Sequence, residues 1–508
     1  SQILGPKSNR PTIGCVQDTV IGLYLLTQPD VFLEPAEFMR LSMACHYADS
    51  AEMPEPAVLK PRRLYTGKQI VSYALPNISL RSSDTFNAVD FMNNDRDSVY
   101  IRDGVLASGT LTKKQVGTSA FGLVHETCLE LGNGNRRAMQ MLSDLQRLAA
   151  AWLTARGCSV GIEDCLVSKD AEREVRATVE ELSQAAATGD PESINNLQQA
   201  LATVGGVVVN SMNPRDNALY SLIDSGSKGS VVNLSQIIGC VGQQCTNGQR
   251  VCKDETITAF EPDSLDPVSR GFCASSYAEG LSMEELFMHT VSGRVGLIDT
   301  AVKTALSGYV QRRIVKSMEQ IIVGYDHTVR GSNAKLLQVS FGGTRLGCLH
   351  MQRVPLPEMM WTRLRLVQTF GKVEGLYIAW LRDCYLENMS LYSDPCTASV
   401  WCPFHPKRIL RNAARTTVPV TGPPTAEGVL AHRARLRSLC RYVSEQIGGD
   451  IKSALPVLLC LRTYFSTARA YLAPGWGLPT EAAFEDVRRR VCQAVAPSGE
   501  NVGSIAAT

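Results

Sequence analysis

Between Gly293 and Lys316 the chain reads GRVGLIDTAVKTALSGYVQRRIVK, a spacing suited to holding a large anion against a helix. At 3.6 residues per turn, Thr300, Ala301, Thr304, Ala305, Gly308 and Tyr309 share one stripe, and Ile298, Val302, Leu306 and Val310 line the next. Lys303, Arg312, Arg313 and Lys316 add cations on and beyond it. Small side chains let a bulky group approach the backbone, and the cations favour a polyanion. Close packing against another helix uses the same stripe, and the pattern alone leaves both readings open. Gly308, which costs roughly 1 kcal/mol against alanine within a helix, fits either a tight seam or a bend. Tyr309 suits stacking on a base or burial with its hydroxyl bonded.

A second candidate is SGSKGSVVNLSQIIGCVGQQ, Ser225 to Gln244. Its glycines free the backbone to offer N–H groups, and Ser227 and Lys228 add a hydroxyl and a point charge suited to phosphate. The GxxxxGK[ST] spacing of a P-loop is missing. Gly226 and Gly229 serve equally well as a tight turn before a helix starting near Asn233. Cys384, Cys396, Cys402 and His405 invite comparison with zinc ligands, but their spacing is unusual for zinc and no zinc is expected. Seven arginines from Arg408 to Arg441 (Arg408, Arg411, Arg415, Arg433, Arg435, Arg437 and Arg441) form a basic region able to touch nucleic acid or an acidic partner surface.

The elements that position these residues are predicted from periodicity and punctuation. Gly14 to Leu26 contains an apolar helix beginning near Gln17 and Asp18, and Ser98 to Leu111 is a hairpin turning at Asp103-Gly104. Two helical runs lie between 170 and about 204, the second started by Asp190-Pro191. Ser282 and Glu285 make a capping box for a lead-in helix, which Ser292-Gly293 separates from the main run. Further helices are read at Pro357 to Leu381, Ala426 to Gln446 and Ile451 to Leu472, with a linker at Thr417 to Glu427. The expected fold is mixed α+β and multidomain, helix-rich after residue 120, with small strands mostly before it. A length of 508 residues, 44% hydrophobic and 20% charged, is ordinary for a globular chain. The net charge of +2 makes any basic surface local. No apolar run reaches the 18 residues of a membrane span, and no membrane partner is expected. The sixteen cysteines include no CxxC pair and read as reduced, mostly buried thiols.

Whole words then carry a resemblance. GLIDTAVKTA followed by SGYVQRR resembles the bridge helix of the largest subunit of multisubunit DNA-directed RNA polymerases of the eukaryotic RNA polymerase II type. SNRPTIGCVQDTVIGLYLLT, TGKQI, TKKQVGTS, ARGCSVGIEDC and PSGENVGSIAAT are similar to further family words, with Glu163, Ser498 and Thr508 as departures. The resemblance implies the end of an active-site domain at 1–65, a pore region at 66–155 and a funnel with a helical hairpin at 156–281. The bridge helix and start of the cleft follow at 282–344, a foot-like region at 345–495 and the lead-in to a trigger loop at 496–508. It implies that Thr300, Ala301, Thr304 and Ala305 pack under the template base, with Gly308 and Tyr309 beside them, and that Lys303, Arg312 and Arg313 face template phosphates. Ser227, Lys228 and Gln243 would lie near nucleotide entry.

The implied reaction is two-metal nucleotidyl transfer from ribonucleoside triphosphates, with Mg²⁺ on an NADFDGD-type cluster that the sequence lacks, so its ligands are expected outside this chain. Starting and stopping inside motifs, the chain reads as a fragment, inactive alone. Implied partners are the DNA template and DNA–RNA hybrid, the second-largest and smaller subunits, and the nucleotides. The implied compartment is the nucleus, or a virion or cytoplasmic viral factory. A non-catalytic polymerase-derived scaffold is the alternative; a single-chain silencing-type polymerase is disfavoured by the long bridge-helix match.

Overall fold

The computed structural model describes residues 3–5, 9–46, 53–81, 99–130, 134–187, 197, 199–212, 217–246, 248–251, 260–261, 264, 266–347, 350–390, 399–410, 426–447, 451–466, 481–495 and 502. The chain forms two compact units, one of residues 1–3 and 11–307, the other of 4–10 and 308–508. The fold is mixed α+β: helices dominate, and the strands form small antiparallel pairs and triplets.

In the first unit, α1 (Asp18–Leu26) is buried along nearly its whole length because eight of its nine residues carry no charge. It lies against α3 (Gly134–Arg156), where Gly22 brings the backbones close: a Cβ there would sit 3.0 Å from Ala149 and Leu153. The first turn of α2 (Gly67–Ala74) is closer still to α1. A Cβ on Gly67 would meet the Leu26 carbonyl oxygen at 1.8 Å, so only glycine fits. Thr66 and Gln69 close a capping box at this start. The hairpin forms as its turn dictates, Tyr100–Arg102 pairing with Val105–Ser108 through Asp103 (φ 50°) and Gly104 (φ 82°).

The rest of the first unit stacks α4 (Lys169–Ala187), α5 (Ala200–Ser211) and α6 (Val231–Ile238) around Val175, Val179, Val204, Val208 and Leu234. The second helical run thus continues to Ser211, past the expected end near 204, because Val207, Val208 and Val209 keep packing it. Its expected start at Asp190-Pro191 lies outside the described residues. Strands are not confined to the first 120 residues: Gly242–Gln243 pairs with Phe272–Cys273, and Cys245–Thr246 with Gln249–Arg250.

One correction concerns α7 (Met283–Met318). It runs unbroken through Ser292 and Gly293, so no separation exists there. A helix tolerates an interior glycine at about 1 kcal/mol, and the Ser292 hydroxyl donates to the Cys245 carbonyl oxygen at 2.9 Å, fastening the helix at that point. The capping box does form: Glu285 N–H donates to Ser282 Oγ (3.3 Å), and Ser282 N–H to Glu285 Oε2 (3.0 Å). Glu285 Oε1 also accepts from Ala274 N–H (2.7 Å) and Ser275 N–H (3.1 Å). Burial alone would raise this carboxyl, but the converging N–H donors hold it below the usual glutamate range.

Apart from residues 4–10, the second unit starts within α7, at Gly308. Its larger core gathers α8 (Arg363–Phe370), α9 (Lys372–Ser390), α10 (Ala426–Gln446), α11 (Ile451–Tyr464) and α12 (Glu481–Ala494) around Phe404, Leu439, Leu459, Phe465 and Phe484. The expected single helix over Pro357 to Leu381 is interrupted at Gly371 (φ 87°), which folds α8 back on α9. Gln352–Pro355 pairs with Ser399–Cys402 at its edge. A smaller cluster, Val323, Val329 and Phe341, lies beside the triplet Ile322–Val323, Val329–Arg330 and Leu336–Gln338. The linker expected at Thr417 to Glu427 falls largely outside the described residues.

Inside the larger core, His432 donates from Nε2 to the Phe465 carbonyl oxygen (2.7 Å) and packs edge-on to Phe484. Burial depresses its pKa despite that hydrogen bond and nearby Glu374, and Arg435 and Arg433 reinforce the shift. Every described cysteine is a free thiol, and burial pushes Cys15, Cys45 and Cys273 up to about 12.

Two outcomes are expected. Glu285→Ala strands three backbone N–H groups, at about 1–3 kcal/mol for an unsatisfied buried donor, so amide exchange of Ala274, Ser275 and Ser282 accelerates; unchanged exchange rates dismiss the clasp. His432, neutral when folded, stabilises the second unit above pH ~6.5, the ordinary imidazole range. That contribution is lost as the pH falls through its lower folded value. The melting-point gap between wild type and His432→Gln therefore narrows from pH 7 to pH 5; a constant gap rules the effect out.

Candidate nucleic-acid interface

Beyond its root, α7 is bare. Glu285 and Met288 are its buried residues, and every residue from Thr300 to Ile314 is exposed. A Cβ added at Gly293, Gly296 or Gly308 would meet no other atom within 4 Å. Among the described residues, therefore, the small stripe is not a packing seam. Leu297, Ile298, Val302, Leu306 and Tyr309 are all more than half exposed, which a chain folding by itself does not favour and a partner surface explains.

The side chains on the stripe are already committed. Thr300 donates its hydroxyl to the Gly296 carbonyl oxygen (2.9 Å), and Thr304 to that of Thr300 (2.6 Å). Their hydroxyls being absorbed by the helix, both threonines turn their methyl groups to whatever approaches. With Ala301, Ala305 and Gly308 they make a shallow apolar track.

The cations are held by the helix itself. Lys303 is ion-paired with Asp299, one turn earlier, and Lys316 with Glu319 (2.6 Å). The Arg313 guanidinium lies 4.8 Å from the centre of the Tyr309 ring. Arg312 is exposed and has no ion-pair partner among the described residues. These exposed pairs contribute little to stability, so an arriving phosphate can displace their carboxylates at small cost.

The root was not evident from the sequence. Gln244 Oε1 accepts from His289 Nδ1 (3.1 Å), and Tyr277 Oη meets His289 Nε2 (3.3 Å). Adjacent Gln243 turns its amide nitrogen to the carbonyl oxygens of Gln244 (3.1 Å) and Arg270 (3.0 Å). It bonds to the loop that α7 grows from. The capping-box spacing found Glu285, but contacts such as Gln244 to His289 span 45 residues and leave no local signal.

Ser227 and Lys228 line a different feature, a cleft of about 710 Å³ that also includes Asp18, Thr154 and Cys158. Ser227 donates its hydroxyl to the Gln17 carbonyl oxygen (2.8 Å), holding Gln17 at φ 48°, while Lys228 is exposed. The expected free N–H groups are mostly taken: those of Gly226, Ser227 and Lys228 donate to Ile223 O, Ser225 Oγ and Leu222 O. Tight-turn geometry consumes them, leaving the lysine as the group that faces the cleft. Gln243 does not line it.

The other motifs contribute nothing here. Cys402 is buried and donates its thiol to the Pro456 carbonyl oxygen (3.6 Å), and Cys396 lies outside the described residues. Among the described residues no group of three or more His, Cys, Asp or Glu could hold a metal. Of the basic region, Arg408 is buried and donates to Gln352 Oε1 (3.0 Å), whereas Arg433 and Arg435 are exposed and face Glu374 and Glu481. Arg411 and Arg415 are outside the described residues. Among the described residues no helix is long and apolar enough to cross a membrane.

Comparison with protein families gives three consecutive matches. RNA polymerase Rpb1, domain 3, matches residues 2–165; domain 4 matches 164–273; domain 5 matches 280–508 and contains α7. Between them they account for nearly the whole chain. The chain belongs to the Rpb1 family, the largest subunits of DNA-directed RNA polymerases.

Proposed function

We propose that this chain supplies the pore, funnel and bridge helix of its polymerase, with α7 lying under the template base at the active centre. The observation that carries the reading is the stripe of Thr300, Ala301, Thr304, Ala305 and Gly308, flanked by cations and exposed among the described residues. A flat base pair can lie on methyl groups and glycine without displacing a side chain. Lys303, Arg312 and Arg313 then meet template phosphates, contacts that position the strand without reading its sequence. Tyr309 stacks beside them, and Gly308 gives the helix a place to bend as the template advances.

Lys228, facing its cleft beside Ser227, is proposed to draw incoming ribonucleoside triphosphates by charge, and Gln243 to support the entry path from the helix root. The bond-making step needs Mg²⁺ to stabilise the attacking and leaving oxygens. Its ligands are proposed to lie outside this chain, which alone is expected to be inactive. The DNA–RNA hybrid, the second-largest subunit and smaller subunits are the proposed partners. The proposed compartment is the nucleus, or a virion or cytoplasmic viral factory.

Proline at 308 removes the N–H that bonds one turn back and crowds the Thr304 carbonyl, at about 3 kcal/mol or more. In an assembled enzyme carrying this chain, Gly308→Pro is expected to abolish elongation while leaving subunit assembly intact; normal elongation rates remove the bridge-helix reading. Lys303→Ala is expected to weaken template binding and to reduce the slope of log affinity against log salt by about one. An unaltered slope removes its phosphate role.

A further inference from the structure

One face of α7 carries the hydrogen bonds that tie it to the rest of the first unit among the described residues. Glu285, His289 and Ser292 stand on it at i, i+4 and i+7. Glu285 gathers loop N–H groups, and His289 meets the Gln244 amide. Ser292, half-buried, donates its hydroxyl to the Cys245 carbonyl oxygen (2.9 Å). Gln244 and Cys245 are consecutive, so neighbouring residues grip the helix one turn apart. The grip is itself held. Gln244 N–H donates to the Gly271 carbonyl oxygen (2.9 Å), its own carbonyl accepts from Val251 N–H (3.2 Å), and Cys245 pairs with Arg250.

Ser292 is where that hydrogen-bonded face ends. Gly293 and Gly296 follow, and a Cβ on either would meet no other atom within 4 Å. The polar side chains beyond turn back onto the helix itself: Thr300 to Gly296, Lys303 to Asp299, Thr304 to Thr300 and Ser307 to Thr304. At about 1.5 Å per residue, Thr304 stands about 18 Å beyond Ser292. A tilt of roughly 10° at Ser292 therefore displaces Thr304 by about 3 Å, close to one base step of about 3.4 Å.

We propose that Ser292 is a positioning residue for nucleotide addition. Its hydroxyl, bonded to the Cys245 carbonyl oxygen, fixes the tilt of α7 and with it the place where the Thr300–Ala305 stripe meets the template base pair. The inference rests on the reading of α7 as the bridge helix. Ser292 acts through the stripe, not on template or nucleotide. Its bond is unlike those of the other hydroxyls on the helix, because it leaves the helix. Thr290, two residues earlier, donates to the Leu286 carbonyl oxygen one turn back (2.7 Å) and anchors nothing else. Thr290 is thus a control from the same turn.

The test places Ser292→Ala, Ser292→Thr and Thr290→Ala in an assembled enzyme carrying this chain. Single-nucleotide addition gives kcat and KM, and exonuclease footprinting of stalled complexes gives the template register. Ser292→Ala is expected to lower kcat about fivefold, the effect of one lost hydrogen bond. KM for the nucleotide should stay near wild type, while more complexes show a rear edge displaced by about one base step. Ser292→Thr keeps the hydroxyl and restores both readouts, and Thr290→Ala matches wild type. Wild-type rates and footprints in Ser292→Ala overturn the proposal. So does a Ser292→Thr or Thr290→Ala enzyme as impaired as Ser292→Ala. A lower yield of assembled enzyme, with an unchanged footprint in what assembles, makes the role purely structural and also overturns it. Failure of the bridge-helix reading shows separately, as normal elongation by Gly308→Pro, and the proposal then falls with it.

Discussion

One carboxylate fixes the start of the longest element in the chain. Glu285 gathers N–H groups from Ser282, Ala274 and Ser275, and with Met288 it is what α7 buries of itself. Thirty-six residues at 1.5 Å each make a helix about 54 Å long, held at its first turns and by Ser292. Helical stability in proteins comes mostly from packing, and α7 has little of it. Its direction is therefore set by this clasp, by the Gln244–His289–Tyr277 contacts above it, and by its own backbone ladder.

What the sequence made legible follows the range of the interactions involved. The Asp103-Gly104 hairpin, the Ser282/Glu285 box and the limits of α10 are encoded within a few residues, and each forms where expected. The break at Gly371 was missed because Pro357 to Leu381 keeps a helical pattern across it, and only the fold-back of α8 on α9 demands the left-handed residue. The pairs Gly242–Gln243 with Phe272–Cys273 and Cys245–Thr246 with Gln249–Arg250 have two residues on each strand, too few for an alternating pattern to announce them. The separation read at Ser292-Gly293 weighed the glycine and could not see the Cys245 carbonyl that holds the helix there.

The candidate site shows the same division. Periodicity puts the small residues of α7 on one stripe, with cations on and beyond it, but is indifferent to whether that stripe is buried or bare. Whole-word resemblance favours a surface for the template; among the described residues nothing lies within 4 Å of a Cβ added at Gly308. The Ser225–Gly229 loop went the other way. Its glycines were read as freeing N–H groups, whereas the turn they permit uses those groups internally and leaves Lys228 to face the cleft.

The bareness of α7 separates two kinds of constraint that most helices combine. On a packed helix, a substitution is screened first by its own core, and partner effects are seen only among the survivors. From Thr300 to Ile314 no such screen operates among the described residues: every side chain is exposed and, at Gly308, an added Cβ meets no neighbour. What restricts the side chains along those four turns is therefore not packing against the described residues. The stretch acts as a mould of its partner's surface, and its tolerance to change measures how closely that partner fits.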